Sequence, residues 1–146
     1  MSTVAWDGTY LVGDCQATWG GVPVKTRKVM MVPFKRTNYL IGWVGSESQG
    51  IKFVEHFTKS GLDGRPELSD GTEVMVICRN WARVESGRDT SDIMNERLWA
   101  IGSGSGYALG ALHHGASAEE AVQIATTLDV YTGMGIEKIR FNHVKE

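Results

Sequence analysis

The order of β-prone and helix-prone runs is what most restricts how this chain can fold. Residues 3–6 and 10–14 read as strands flanking Asp7-Gly8, a dipeptide that suits a tight hairpin turn. Residues 28–34 and 39–44 form a second predicted pair across Lys35-Arg36-Thr37-Asn38. Ser46 followed three residues later by Gln49 predicts a capping box, and the helix after it carries Ile51, Phe53, Val54, Phe57 and Leu62, ending near Gly61. Residues 64–71 read as a loop, 73–79 and 81–84 as a strand pair, 86–95 as a polar loop, and 98–101 as a short apolar strand. A helix follows over about 107–113; Ser117 with Glu120 predicts a second capping box and a helix over 121–128. Residues 136–141 alternate apolar and charged, which predicts a closing strand with one wet face. The helices come in blocks, not after every strand. That argues against a parallel βαβ sheet and for an α+β fold: two mostly antiparallel sheets face to face, helices outside.

The chain's 146 residues fit one domain spanning residues 1–146. Hydrophobic residues make up 42% and charged residues 22%, the balance of a chain that buries a core. Fifteen basic residues against 17 acidic ones give a net charge of −2 with no basic stripe, so neither nucleic acid nor an anionic membrane is an expected partner. The start, MSTVAWDG, has no charged region ahead of an apolar stretch, so no signal peptide is read there. No apolar run approaches the roughly 20 residues of a spanning helix. Cys15 and Cys78 form no C-x-x-C motif. A reducing, cytoplasmic location is the expectation.

Several motifs have ordinary explanations. The run from Gly102 to Gly106 (G-S-G-S-G) follows a strand and opens a helix, as a dinucleotide loop does. Tyr107 stands where the fingerprint needs its third glycine, and no βαβ unit surrounds it. It is not a nucleophile elbow, because its centre is Gly104. His113 and His114 suit the dipole at a helix end and, as sequence neighbours, cannot face one metal from one helix side. Cys15 reads as a small packed residue, and Lys25, Arg27 and Lys28 as a solvated strand end. No metal or cofactor is expected.

Four separated segments, taken together, resemble the proteasome β-subunit family and its bacterial two-ring peptidase relative. The first is Ser2-Thr3-Val4-Ala5, with Asp7-Gly8 and then Asp14-Cys15-Gln16-Ala17-Thr18. It is similar to a T-T-x-V start with a hairpin ending in D-x-[RQ]-A-T. The second is Arg27-Lys28-Val29, where that family has its active-site lysine; the third is the strand from Tyr39 to Gly45, whose closing glycine supplies an oxyanion amide. The fourth pairs Gly102-Ser103-Gly104-Ser105 and Tyr107-Ala108 with Asp129-Val130-Tyr131-Thr132-Gly133, similar to G-S-G-S-x-Y-A and D-x-Y-S-G-G.

The resemblance implies an N-terminal-nucleophile (Ntn) hydrolase with a four-layer αββα sandwich, assembled as a homo-oligomeric ring around an inner chamber. Its implied substrate is a peptide or unfolded protein, with an ATP-dependent unfoldase as a possible partner. The chain departs from the pattern in having Ser2 in place of the usual Thr, and in having a single helix before residue 73. Its first hairpin is also shorter by about four residues; removing two from each strand keeps every side chain on its face, which makes Ser2, not Thr3, the nucleophile. The implied catalytic residues are Ser2, Asp14, Lys28, Gly45, Ser103, Asp129 and Thr132, and the implied substrate pocket lies near Thr18, Trp43 and Glu47. Ser2 would act through its own α-amine, which requires removal of Met1. Two alternatives stand beside the peptidase: a catalytically inactive ring or scaffold protein, and a small-molecule amidase.

Overall fold

Eleven short strands and three helices form among the described residues, and alternating side chains sort nine of the strands into two antiparallel sheets. The computed structural model describes residues 2–93 and 97–141; Met1, whose removal the sequence reading requires, lies outside them. The first sheet runs β10 (Trp99–Ile101), β1 (Val4–Trp6), β2 (Leu11–Asp14), β11 (Ile136–Ile139). The second is a meander of β5 (Val29–Phe34), β6 (Thr37–Val44), β7 (Glu73–Ile77), β8 (Ala82–Ser86) and β9 (Thr90–Ile93). A separate hairpin joins β3 (Gln16–Trp19) to β4 (Val22–Lys25).

The period of two decides which side of each sheet is dry. Val4 opposes Gly13 and Ile101, Trp6 opposes Leu11 and Trp99, and Ala5 opposes Val12 and Ala100. Val4, Trp6, Leu11 and Ile101 pack with Val29, Leu40, Met75 and Ile77 of the second sheet. Ala5, Val12 and Ala100 pack instead with α2 (Ser105–His113) and α3 (Ala118–Leu128). On its far side the second sheet offers Ile41, Trp43, Val74 and Val76 to Phe53 and Phe57 of α1 (Glu47–Ser60). Burying two phenylalanines contributes roughly 3–6 kcal/mol. The Ser46 cap adds only about 1 kcal/mol. Packing, more than capping, therefore holds α1 on its sheet.

The structure departs from the sequence reading at several points. The hairpin of β3 and β4 has no counterpart in it. Its strands are largely exposed and include Pro23, so they lack the apolar alternation that marks a strand. Within 86–95, read as a loop, β9 pairs with β8 from Ser86↔Thr90 to Arg83↔Ile93. Only Lys35 and Arg36 make the turn between β5 and β6, both at positive φ (46° and 63°), so Thr37 and Asn38 belong to the strand. The box at Ser117 closes in both directions with Glu120. At Ser46 only half forms: the Ser46 hydroxyl accepts from the Gln49 N–H, while the Gln49 side-chain oxygen accepts from Ser69.

Candidate active site

Ser2 and Thr3 lie just ahead of β1, and their hydroxyls go to opposite faces of the first sheet. Lys28, just before β5, donates to the Ser2 Oγ, to the Gln16 carbonyl and, at 2.9 Å, to Asp14 Oδ1. An ammonium has three protons, and all three are engaged. Asp14 ends β2. Its Oδ1 also accepts from the Thr3 N–H at 3.0 Å, and its Oδ2 from the N–H groups of Gln16 and Gly133 at 3.3 and 3.1 Å. The side chains of Lys28 and Asp14 are 5% and 0% exposed, so this ion pair is shielded from water. Burial pushes the Lys28 ammonium below its ordinary pKa, against the opposing attraction of Asp14.

Thr3 belongs to a second cluster. Asp129 caps the end of α3; its Oδ2 accepts from Ser103 Oγ at 2.6 Å and from Thr132 Oγ1 at 2.7 Å, and its Oδ1 from the Tyr131 N–H at 3.2 Å. Burial alone would raise this carboxyl, but the hydroxyl and amide donors outweigh it and hold Asp129 below its usual range. Thr3 Oγ1 lies 2.8 Å from Thr132 Oγ1. Ser103 Oγ also lies 3.4 Å from the Ser2 carbonyl. Gly104, not Ser103, holds the N-cap position of α2, and the Ser103 hydroxyl goes to Asp129.

The glycine-rich run has a steric explanation. Gly102 has φ +102°, and a Cβ there would stand 2.0 Å from the Ser2 carbonyl oxygen; at Gly104 it would stand 2.1 Å from Thr3 Oγ1. The run lets the start of the chain lie directly against the strand-to-helix turn. Gly45, at φ +89°, is as tightly constrained, with a Cβ falling 2.4 Å from the Gly71 carbonyl oxygen.

A cleft of about 350 Å³ opens beside Ser2, lined by Lys28 and Gly45 and by Thr18, Trp43 and Glu47, among others. A second cavity of about 360 Å³ shares Trp43 and Glu47 with it and runs on along Met30, Ile51, Val54 and Glu55. Glu47 is close enough to Lys28 to favour its charged form. The Trp43 ring lies against Gly50 of α1, where a Cβ would come within 2.3 Å, and its buried Nε1 has no partner among the described residues.

Thus Ser2, Asp14 and Lys28 form one hydrogen-bonded group, and Ser103, Asp129 and Thr132 a second one behind the Ser2 backbone. Gly45, Thr18, Trp43 and Glu47 are on the cleft wall. Thr3, which joins the second group, was missed as a site residue; its place in Ser2-Thr3 with strand alternation was the available signal. Cys15 is buried, and burial with Glu137 and Asp14 nearby raises its thiol pKa, as suits a packed residue. Among the described residues, no group of three or more His, Cys, Asp or Glu is placed to hold a metal.

No protein-family model matches this sequence, and no curated protein matches it significantly. Solved structures do. BPH from Thiobacillus denitrificans in complex with epoxomicin superposes with a TM-score of 0.72 at 17% identity, covering 95% of this chain and 97% of that one. A second structure of that protein gives 0.72 at 18%, covering 99% and 100%. Eukaryotic HslV from Trypanosoma brucei gives 0.65 at 19%, covering 95% and 99%. At such identities the likeness is one of fold. The chain has the fold of the proteasome β-subunit-like Ntn hydrolases.

Proposed function

We propose that this chain is a serine-type Ntn peptidase that cleaves peptides or unfolded protein once Ser2 has a free α-amine. The observation that carries the reading is the contact of Ser2 Oγ with the buried Lys28–Asp14 pair at the wall of an open cleft. Hydrolysis of the Met1–Ser2 peptide bond frees the amine. Its unperturbed pKa, about 7.7–8.0, makes a usable base near neutral pH, and the Lys28 charge lowers it further by like-charge repulsion.

In the proposed reaction the amine takes the hydroxyl proton as Ser2 Oγ attacks the substrate carbonyl carbon. The oxyanion that forms is met by the Gly45 N–H. Collapse breaks the scissile C–N bond, the amine returns its proton to the departing nitrogen, and an ester remains on Ser2 Oγ. Water, deprotonated by the same amine, then hydrolyses the ester and restores the hydroxyl. Ser103, Asp129 and Thr132 hold the backbone and amine of Ser2. Serine lacks the methyl group that fixes χ1 in threonine, so its attack is less preorganised.

The substrate side chain next to the scissile bond lies along Thr18, Trp43 and Glu47. The Glu47 carboxylate favours a basic or polar group there. Three packed cores, one between the sheets and one under each helical layer, support the four-layer reading of the fold. Ring assembly, an unfoldase partner and a cytoplasmic location belong to the same proposal. No described helix is long and apolar enough to cross a membrane.

The test is hydrolysis of a fluorogenic peptide panel by protein whose mass shows Met1 removed, beside Ser2→Ala. Activity lost in Ser2→Ala and favouring basic or polar residues supports the proposal. Activity that survives Ser2→Ala refutes it, and a preference for acidic residues refutes the role of Glu47. Native protein that keeps Met1 and hydrolyses nothing favours the inactive ring or scaffold.

A further inference from the structure

We propose that Thr3 is a positioning residue for the Ser2 nucleophile, acting through a hydroxyl chain that ends on Asp129. The inference rests on the peptidase reading for its kinetic consequence, not for its structural one. Ser2 and Thr3 precede the first ladder, which begins Val4↔Gly13 and Val4↔Ile101. Chain starts outside a ladder fray unless tied down. The Thr3 backbone exchanges bonds with Asp14: Thr3 N–H to Oδ1 at 3.0 Å, and Asp14 N–H to the Thr3 carbonyl at 3.1 Å. The Ser2 carbonyl accepts a longer bond from the Gly104 N–H at 3.3 Å, and Ser103 Oγ, whose proton goes to Asp129, lies 3.4 Å from it. The Thr3 hydroxyl is the side-chain tie on the helix-side face, and Thr3 is fully buried.

The proton order in this chain follows from counting. Thr132 has one hydroxyl proton, and it goes to Asp129 Oδ2 at 2.7 Å. The Thr3–Thr132 contact at 2.8 Å must therefore have Thr3 as donor and Thr132 as acceptor. The chain runs Thr3 to Thr132 to Asp129, and Asp129 stays ionised to receive it. Gly104 leaves the space for it, since any Cβ there would overlap Thr3 Oγ1. One residue away, Ser2 points the other way, at Lys28. A fixed Thr3 side chain thus sets the height and direction of the Ser2 Cα, as near-attack geometry requires.

The test compares Thr3→Val, Thr3→Ser and Val12→Ala, all with Ser2 as first residue. Val12 is buried on the same helix-side face and has no hydrogen-bonding side chain, so it controls for lost stability. For Thr3→Val the expected result is a kcat lower by about tenfold with KM within about twofold. Thr3→Ser restores kcat, and Val12→Ala keeps it below the melting transition. Independently of activity, amide hydrogen exchange at position 3 speeds up by about tenfold in Thr3→Val relative to core amides, while Val12→Ala leaves that ratio unchanged. Unchanged kcat and unchanged relative exchange in Thr3→Val overturn the inference. If the parent chain hydrolyses nothing, the peptidase reading falls, and the exchange ratio alone decides whether Thr3 holds the chain start.

Discussion

Replacing Asp14 by asparagine tests the buried pair from its costlier side. The change leaves the Lys28 ammonium, whose side chain is 5% exposed, without its carboxylate. It also turns an amide toward a pocket already filled with donors, the N–H groups of Thr3, Gln16 and Gly133. Breaking a buried pair from one side costs about 3–5 kcal/mol, and the donor conflict puts this case near the top, about 5 kcal/mol. In a domain of this size each kcal/mol lowers Tm by about 2–4 °C, so a fall of about 10–20 °C is expected. Lys28→Met should cost less, roughly 1–3 kcal/mol, because the Asp14 carboxylate keeps its three N–H donors and the ammonium's desolvation cost disappears. The pH dependence has a definite sign. Burial lowers the pKa of Lys28 in the native protein, and the Asp14 variant removes the leading opposing attraction. An unfolded lysine titrates near 10.4. Between the native and unfolded pKa values the unfolded chain binds the extra proton, so stability rises with pH. Thermal melts followed by circular dichroism from about pH 7 to about pH 10 should show Asp14→Asn regaining stability more steeply than the parent. A variant melting within about 2 °C of the parent, with no steeper pH slope, would refute this account of the pair.

Three further changes probe the rest of the site. Gly45→Ala puts a methyl 2.4 Å from the Gly71 carbonyl at a φ that costs non-glycine residues about 1–3 kcal/mol; kcat should fall by roughly 10²–10³ as the amide moves, and an unchanged kcat removes Gly45 from the oxyanion role. Gly50→Ala should improve helix propensity by about 1 kcal/mol yet lower Tm, because its Cβ lands within 2.3 Å of the Trp43 ring; an unshifted tryptophan emission would contradict that packing. Asp129 has a depressed native pKa, so its stabilisation is complete above the unfolded value near 3.9 and is lost as pH falls through the native one. Acid titration of Asp129→Asn, followed by fluorescence, should lack the part of the slope that the parent shows below about pH 4.

The candidate site residues came from the resemblance of four separated segments, and local rules added only the facing of individual side chains. Strand alternation put Ser2 and Thr3 on different faces, and in the structure one hydroxyl meets Lys28 while the other meets Thr132. The box at Ser117 was visible because both of its halves are local in sequence. What stayed hidden depends on distant partners. Gln49 completes its bond on Ser69, twenty residues on, and not on its own helix start. The polar strand β9 exists because β8 offers it a ladder, and Arg65 ties the pair by donating to Ser86 and Thr90 carbonyls. The reason for Gly102 and Gly104 is a close approach of residues a hundred positions earlier, which periodicity does not register.

The most direct measurement is the mass and position of a covalent adduct formed with an acylating peptide inhibitor. Protein freed of Met1 should gain the mass of one acyl group, mapped by peptide fragmentation to Ser2, and Lys28→Met should slow the labelling. Modification mapped to Thr3 or elsewhere, or labelling at an equal rate while Met1 is still attached, would contradict the claim that the amine and hydroxyl of Ser2 act together.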